Sequence, residues 1–301
     1  MFKDLIFGCF EKYTLDSILT WLNSLNYTNY KGDILLIIYG DKSEIDQRII
    51  NLPNVTNSIS ILLKPLPSRP VVVERFKDMY EFLSLTKVNY RFVFSTDPSD
   101  VIFQKNPSII ASSFYKERPL IIACSESIIY KNETWGNKNM IDSFPDYYEF
   151  MHDKEIFNAG TILGTKEIII NLFQDIYKLS NQSLNSNPDQ AAYNILIQTK
   201  YFQHTFFSRI SDAVSVQCGT TAWPLRLSQY GKYLLEKPFF YDGIAYNKKG
   251  TKVGIVHQYN KVPYLHQQII KRFYTGIQLS RKKKAKDFMF CILFRVIYSL
   301  K

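Results

Sequence analysis

Two aspartates three positions apart, Asp97 and Asp100, close the apolar run Tyr90-Arg91-Phe92-Val93-Phe94-Ser95-Thr96. A strand that delivers paired carboxylates to the rim of a sheet suits a divalent cation. Mg²⁺ and Mn²⁺ take oxygen ligands and bridge protein carboxylates to substrate phosphates. The same stretch, Asp97-Pro98-Ser99-Asp100, is also good turn chemistry, so both readings stand. His257 ends a later apolar run, Val253-Gly254-Ile255-Val256. Neutral imidazole ligates Mn²⁺, and a protonated ring orients a phosphate, although a lone histidine also serves structurally.

Two more segments could meet a ligand. Asn158-Ala159-Gly160 sets a small polar break inside the apolar stretch 156–163. Glycine lets backbone approach a ligand closely, and an Asn amide both donates and accepts; a tight bend is the competing reading. Asp189-Gln190 follows Pro188 at a helix start. It reads as a helix cap or as a carboxylate and an amide placed for sugar hydroxyls.

These residues need elements to position them. Residues 5–10, 33–39, 59–63, 90–95, 120–123 and 253–256 read as buried strands. Helical spacing marks 14–22, a short helix capped by Ser43, 72–85, 166–179 (Ile169, Leu172, Phe173 and Ile176 inward) and 188–197. Residues 202–216 look extended, and 131–153, rich in Asn, Asp, Tyr and Pro, looks like an inserted loop or lid. Alternating strands and helices imply an α/β fold with a mostly parallel central sheet flanked by helices. Ligands of such sheets bind outside the carboxyl ends of the strands. Asp41, the Asp97/Asp100 pair and His257 all fall there.

Composition narrows the function. A chain of 301 residues, 46% hydrophobic and 15% aromatic, can bury a large core. Cys9, Cys124, Cys218 and Cys291 are scattered, which suits reduced thiols in a cytoplasmic protein better than a disulfide framework or a zinc site. The net charge of +10 is concentrated in residues 281–301, which hold seven Lys or Arg and one acid. The remainder is only mildly basic, which argues against nucleic acid as a partner. No apolar run is long enough to cross a bilayer. No Gly-x-Ser-x-Gly elbow supports serine hydrolase chemistry.

In this order, Asp97-Pro98-Ser99-Asp100-Val101-Ile102-Phe103-Gln104, Phe157-Asn158-Ala159-Gly160, Asp189-Gln190-Ala191-Ala192-Tyr193-Asn194 and Val256-His257-Gln258-Tyr259 resemble the motifs of GT-A-type, nucleotide-sugar-dependent glycosyltransferases. Arg75-Phe76 and Trp135-Gly136-Asn137-Lys138-Asn139 resemble further recurring elements. The resemblance covers residues 5 to 262. It implies a GT-A-like domain over 1–280 that transfers a sugar from a nucleotide-diphosphate donor to a hydroxyl of a glycan or lipid-linked acceptor. It also implies that Asp97 and Asp100 hold Mn²⁺ or Mg²⁺ against the donor diphosphate, with His257 a third ligand or a diphosphate contact.

The same resemblance assigns Arg75 to phosphate or the donor sugar. Phe10 and Tyr13 would flank the nucleotide base, with Asp41 nearby. Asn158, Gly160, Asp189 and Gln190 would line the sugar and acceptor side. If the reaction inverts, Asp189 is the candidate base; if it retains, Asp189 positions hydroxyls. The family motif usually spaces its acids two apart, so the three-residue spacing leaves open which Asp meets the metal. Two alternatives stay in view: a nucleotidyltransferase that makes nucleotide sugars, and a non-catalytic carbohydrate-binding protein. The segment 281–301, a basic cluster followed by apolar residues, suits peripheral association with the inner face of a membrane as well as a helix docked on the domain.

Overall fold

The Val, Ile, Leu and Phe runs form the strands of a computed structural model that describes residues 3–55 and 58–273. Seven of them make the central sheet: β1 (Lys3–Glu11), β2 (Asp33–Tyr39), β3 (Ile59–Lys64), β4 (Tyr90–Thr96), β6 (Ile121–Ile129), β7 (Glu155–Thr165) and β8 (Thr205–Ser208), in the order β3-β2-β1-β4-β7-β6-β8. β7 runs against both its neighbours and every other pairing is parallel. The expected α/β architecture with a mostly parallel sheet is therefore present. A smaller sheet holds β5 (Val101–Phe103), β12 (Ile255–His257) and β9 (Ser215–Gln217), and β10 (Phe239–Tyr241) pairs with β11 (Ile244–Tyr246).

Helices cover both faces. The helix Lys166–Ser180 buries Ile169, Leu172, Phe173 and Ile176, as the spacing predicts. It packs on the helix Val71–Leu85, where Phe173 meets Phe76 edge to face at 5.5 Å. Each such side chain, moved from water to core, contributes about 1.5–3 kcal/mol. On the other face, the helix Leu15–Tyr27 buries Trp21, whose Nε1 donates to Thr96 Oγ1 at 2.9 Å and so anchors the last residue of β4.

Several boundaries differ from the sequence reading. Asp46, not Ser43, caps the short helix Gln47–Ile50: its Oδ1 accepts from Arg48 N at 3.0 Å, while its Oδ2 accepts from Leu15 N at 2.8 Å. The stretch 131–153 is helical rather than a loop, with helices Thr134–Ser143 and Tyr148–Met151. The buried face of the first carries Gly136, Asn139, Met140 and Ser143, and such small and polar residues escape a hydrophobic pattern. The strand begun at residue 120 runs on to Ile129. Residues 202–216 hold two short strands and two 3₁₀ turns instead of one extended run. The tail 281–301 lies outside the described residues. Among those described, no helix is long and apolar enough to cross a membrane.

The polar break at Asn158-Ala159-Gly160 does not interrupt β7. Asn194, fully buried on the helix Asp189–Gln198, accepts from Phe157 N at 2.8 Å and donates to Phe157 O at 2.6 Å. Its amide replaces a ladder partner beyond Thr161, where the pairing of β7 with β4 has ended. Asn194→Ala strips both Phe157 groups of their partner. It is expected to lower stability by roughly 2–4 kcal/mol, read as a reduced urea midpoint with unchanged slope. An unchanged midpoint would contradict the assignment.

Candidate functional site

At the carboxyl end of β4 the chain turns sharply. Asp97 O accepts from Asp100 N at 3.4 Å and from Val101 N at 3.2 Å. The turn reading of Asp97-Pro98-Ser99-Asp100 holds, and the turn brings the two acids together. Gly8 in β1 makes room for it, since a Cβ there would lie 2.7 Å from Pro98 Cγ. β5 then leaves the main sheet and pairs antiparallel with β12, with Val101 opposite His257. That register sets Asp100 beside the imidazole.

Ligand atoms of Asp97, Asp100 and His257 all lie within 4.8 Å of one another. His257 Nε2 is 3.4 Å from Asp100 Oδ1 and 3.8 Å from Asp97 Oδ2. Neither contact is aligned as a hydrogen bond, and Asp100 Oδ1 and both ring nitrogens of His257 are buried without such a partner. Burial pulls the His257 pKa down, Asp100 and then Asp97 push it up, and the net shift is upward. Opposite ligands of a cation such as Mg²⁺ stand about 4.2 Å apart, so an inward shift of a few tenths of an ångström would suit one ion. Gly160 leaves the space: a Cβ there would lie 2.4 Å from His257 Cε1 and 2.7 Å from Asp97 Oδ2. Two carboxylates, an imidazole, unpartnered polar atoms and a glycine-made hollow fit a hard divalent cation.

Arg75 organises the neighbouring side. It is buried on the helix Val71–Leu85; Nη1 donates to Asp97 Oδ1 at 2.6 Å, and Nη2 to Asp189 Oδ2 at 3.1 Å and Ala159 O at 3.3 Å. Burial works against its charge, but the two carboxylates outweigh it and raise its pKa. Burial also raises the pKa of the Asp189 carboxyl, with Arg75 pulling against it. A carboxylate held in this pair anchors Arg75.

The cluster opens on a cleft of about 680 Å³ lined by Phe10, Tyr13, Arg69, Arg75, Asp97 and Asp100, among others. Phe10 and Tyr13 are on it, but their rings stack on each other with centroids 5.2 Å apart. They form one aromatic platform and leave no slot for a base between them. Gln190 lies elsewhere, on a second cavity with Glu126, Gln217 and Gln258. Two expected site residues stand apart. The Asn158 amide is consumed inside the sheet, donating to Cys124 O at 3.0 Å and accepting from Thr161 Oγ1 at 2.5 Å. Asp41 sits on an exposed turn, accepts from Ser43 N and Oγ, and does not line the cleft. Sequence reasoning missed Glu126 and Gln217. Glu126 sits between two serines and Gln217 in an apolar stretch, neither in a recognisable motif, and only the fold brings them together.

No protein-family model and no curated protein sequence matches the chain. Its structure, however, resembles solved glycosyltransferases. The bifunctional glycosyltransferase WbbM, in its apo form, aligns with TM-score 0.57 and 14% identity over 91% of this chain, which spans 50% of the length of WbbM. An active-site mutant of LgtC aligns with TM-score 0.55 and 10% identity over 93% of this chain and 99% of LgtC. The galactosyltransferase LgtC in complex with donor and acceptor sugar analogues gives TM-score 0.52 and 11% identity over the same shares. The chain therefore has a GT-A-like glycosyltransferase fold.

Removing Arg75 would leave Asp97 and Asp189 without their cation. Arg75→Met is expected to cost about 3–5 kcal/mol in chemical denaturation at neutral pH. A loss below roughly 1 kcal/mol, the worth of an exposed pair, would show that the triad is not a desolvated unit.

Proposed function

We propose that the protein transfers a glycosyl group from a nucleoside-diphosphate sugar to a hydroxyl acceptor, with a divalent cation held by Asp97, Asp100 and His257. The observation that carries this reading is the convergence of those three side chains, two strand ends and a turn, at the rim of a GT-A-like sheet, with Asp97 and Asp100 lining the cleft. The solved LgtC complex with donor and acceptor sugar analogues supports the same class of substrates.

Breaking the bond between sugar C1 and phosphate leaves negative charge on the departing diphosphate. A bound Mn²⁺ or Mg²⁺ supplies Lewis-acid stabilisation of that charge. The chain's own residues do the positioning. Arg75 fixes one oxygen of Asp97 and leaves the other on the His257 side. Arg69, whose Nη2 donates to Ser180 O at 3.0 Å and Ser183 O at 3.1 Å, adds a second positive group to the cleft. The Phe10–Tyr13 platform offers an aromatic face for the base, and Tyr13 OH is tied to Ser99 Oγ at 3.1 Å.

A nucleotidyltransferase would need a glycine-rich, basic loop after β1 to cradle a triphosphate. The residues there are Lys12-Tyr13-Thr14, which hold no glycine and offer no such cradle.

Melting curves with UDP, GDP or CDP, each with and without Mn²⁺, test the proposal. One nucleoside diphosphate plus Mn²⁺, at about 100 times its Kd, is expected to raise Tm by about 5 °C. Asp100→Ala is expected to abolish that rise, and chelation to abolish hydrolysis of the matching nucleotide sugar. Nucleotide binding that ignores both metal and Asp100 would refute the assignment. Sugar binding with no nucleotide response would favour a carbohydrate-binding protein instead.

A further inference from the structure

The donor-side cleft does not use the second cavity, of about 300 Å³. Three relations make the two neighbours. Gln190 follows Asp189, Gln258 follows His257, and Gln217 lies opposite His257 in the β9–β12 pairing. Residues paired across strands project to the same side, so Gln217 stands beside the imidazole. Part of the wall of the second cavity is therefore made by immediate neighbours of His257 and Asp189.

Its chemistry is specific. Glu126 is brought there by β6, whose pairing with β7 loses register on both sides of Ser125 and whose Ser127 has φ +59°. Such bulges re-aim side chains next to active sites. Glu126 is 7% exposed and accepts from Thr220 Oγ1 at 2.9 Å. It has no ion-pair partner among the described residues. Glu133, the other acid of the cavity, is already committed to Arg226 and to Gly136 N. Gln217 is 3% exposed, and its Oε1 is buried without a hydrogen-bond partner. Trp135, half exposed on the helix Thr134–Ser143, is an aromatic wall.

Amides, a hydroxyl and a buried carboxyl group without an ion-pair partner suit a ligand rich in neutral hydroxyls, and an indole face suits the apolar side of a sugar ring. Arg226, paired with Glu133, and Lys261 also line the cavity, so its acids and bases balance and a neutral ligand leaves that balance undisturbed. We infer that this cavity binds a neutral pyranose of the acceptor, hydrogen-bonded by Glu126 and Gln217 and packed on Trp135. The inference rests on the transferase reading and narrows its acceptor to a neutral sugar.

The test uses the full chain and calorimetric titration with the methyl α- and β-pyranosides of glucose, galactose and mannose, alongside glucose 6-phosphate. The nucleoside diphosphate plus Mn²⁺ melting shift is recorded in parallel. At least one neutral glycoside is expected to bind saturably. Its Kd should rise about tenfold in Glu126→Gln and in the surface variant Trp135→Ala, the scale of one lost hydrogen bond in the first and one lost ring contact in the second. Both variants should keep the nucleotide shift, which also certifies their folding. No glycoside binding with the nucleotide shift intact, unchanged Kd in both variants, or tighter binding of the sugar phosphate would overturn the inference. Glycoside binding without any nucleotide shift would leave the cavity a sugar site and sink the transferase reading instead.

Discussion

One buried guanidinium sets the geometry on which the cleft depends. Arg75 ties the helix that carries it to the end of β4, to the backbone of β7 and to the start of the helix Asp189–Gln198. A charge in that position is tolerable only with close anionic partners, and Asp97 and Asp189 supply them. Asp97 then works in two directions. Its Oδ1 belongs to Arg75, and its Oδ2 stays on the side of His257. The pair with Arg75 thus removes the rotational freedom of the carboxylate before any cation arrives, which is how a site is preorganised.

The other half of the site comes from topology. The main sheet delivers Asp97, but Asp100 and His257 meet only because β5 departs to pair with β12. Each has an unpartnered buried atom at the meeting point. Such atoms carry a desolvation cost, and a divalent cation would offset it for Asp100 and the ring at once. Gly160 completes the arrangement by omission, since any side chain there would occupy the hollow.

Much of this was legible in the sequence because it is written in local signals. Apolar runs gave the strands, and abrupt polar ends at Asp97 and His257 marked the rim. What the sequence hid was commitment. Asn158 reads as a free amide, yet it is spent on Cys124 and Thr161. Asp189 reads as a base or a cap, and the ion pair with Arg75 that it also makes has no signal in its own segment. Phe10 and Tyr13 read as two walls, yet they make one. In each case a partner distant in sequence decides the role, and no spacing rule reports it. Glu126 and Gln217 lay beyond reach for the same reason: neither has a motif, and each becomes conspicuous only when burial and missing partners are known.

Anomalous diffraction from crystals grown with Mn²⁺ tests the central claim most directly. The account predicts a manganese peak bounded by Asp97 Oδ2, Asp100 and His257 Nε2, with Arg75 still on Asp97 Oδ1. A structure in which Mn²⁺ binds elsewhere, or in which these three side chains stay apart in its presence, would contradict it.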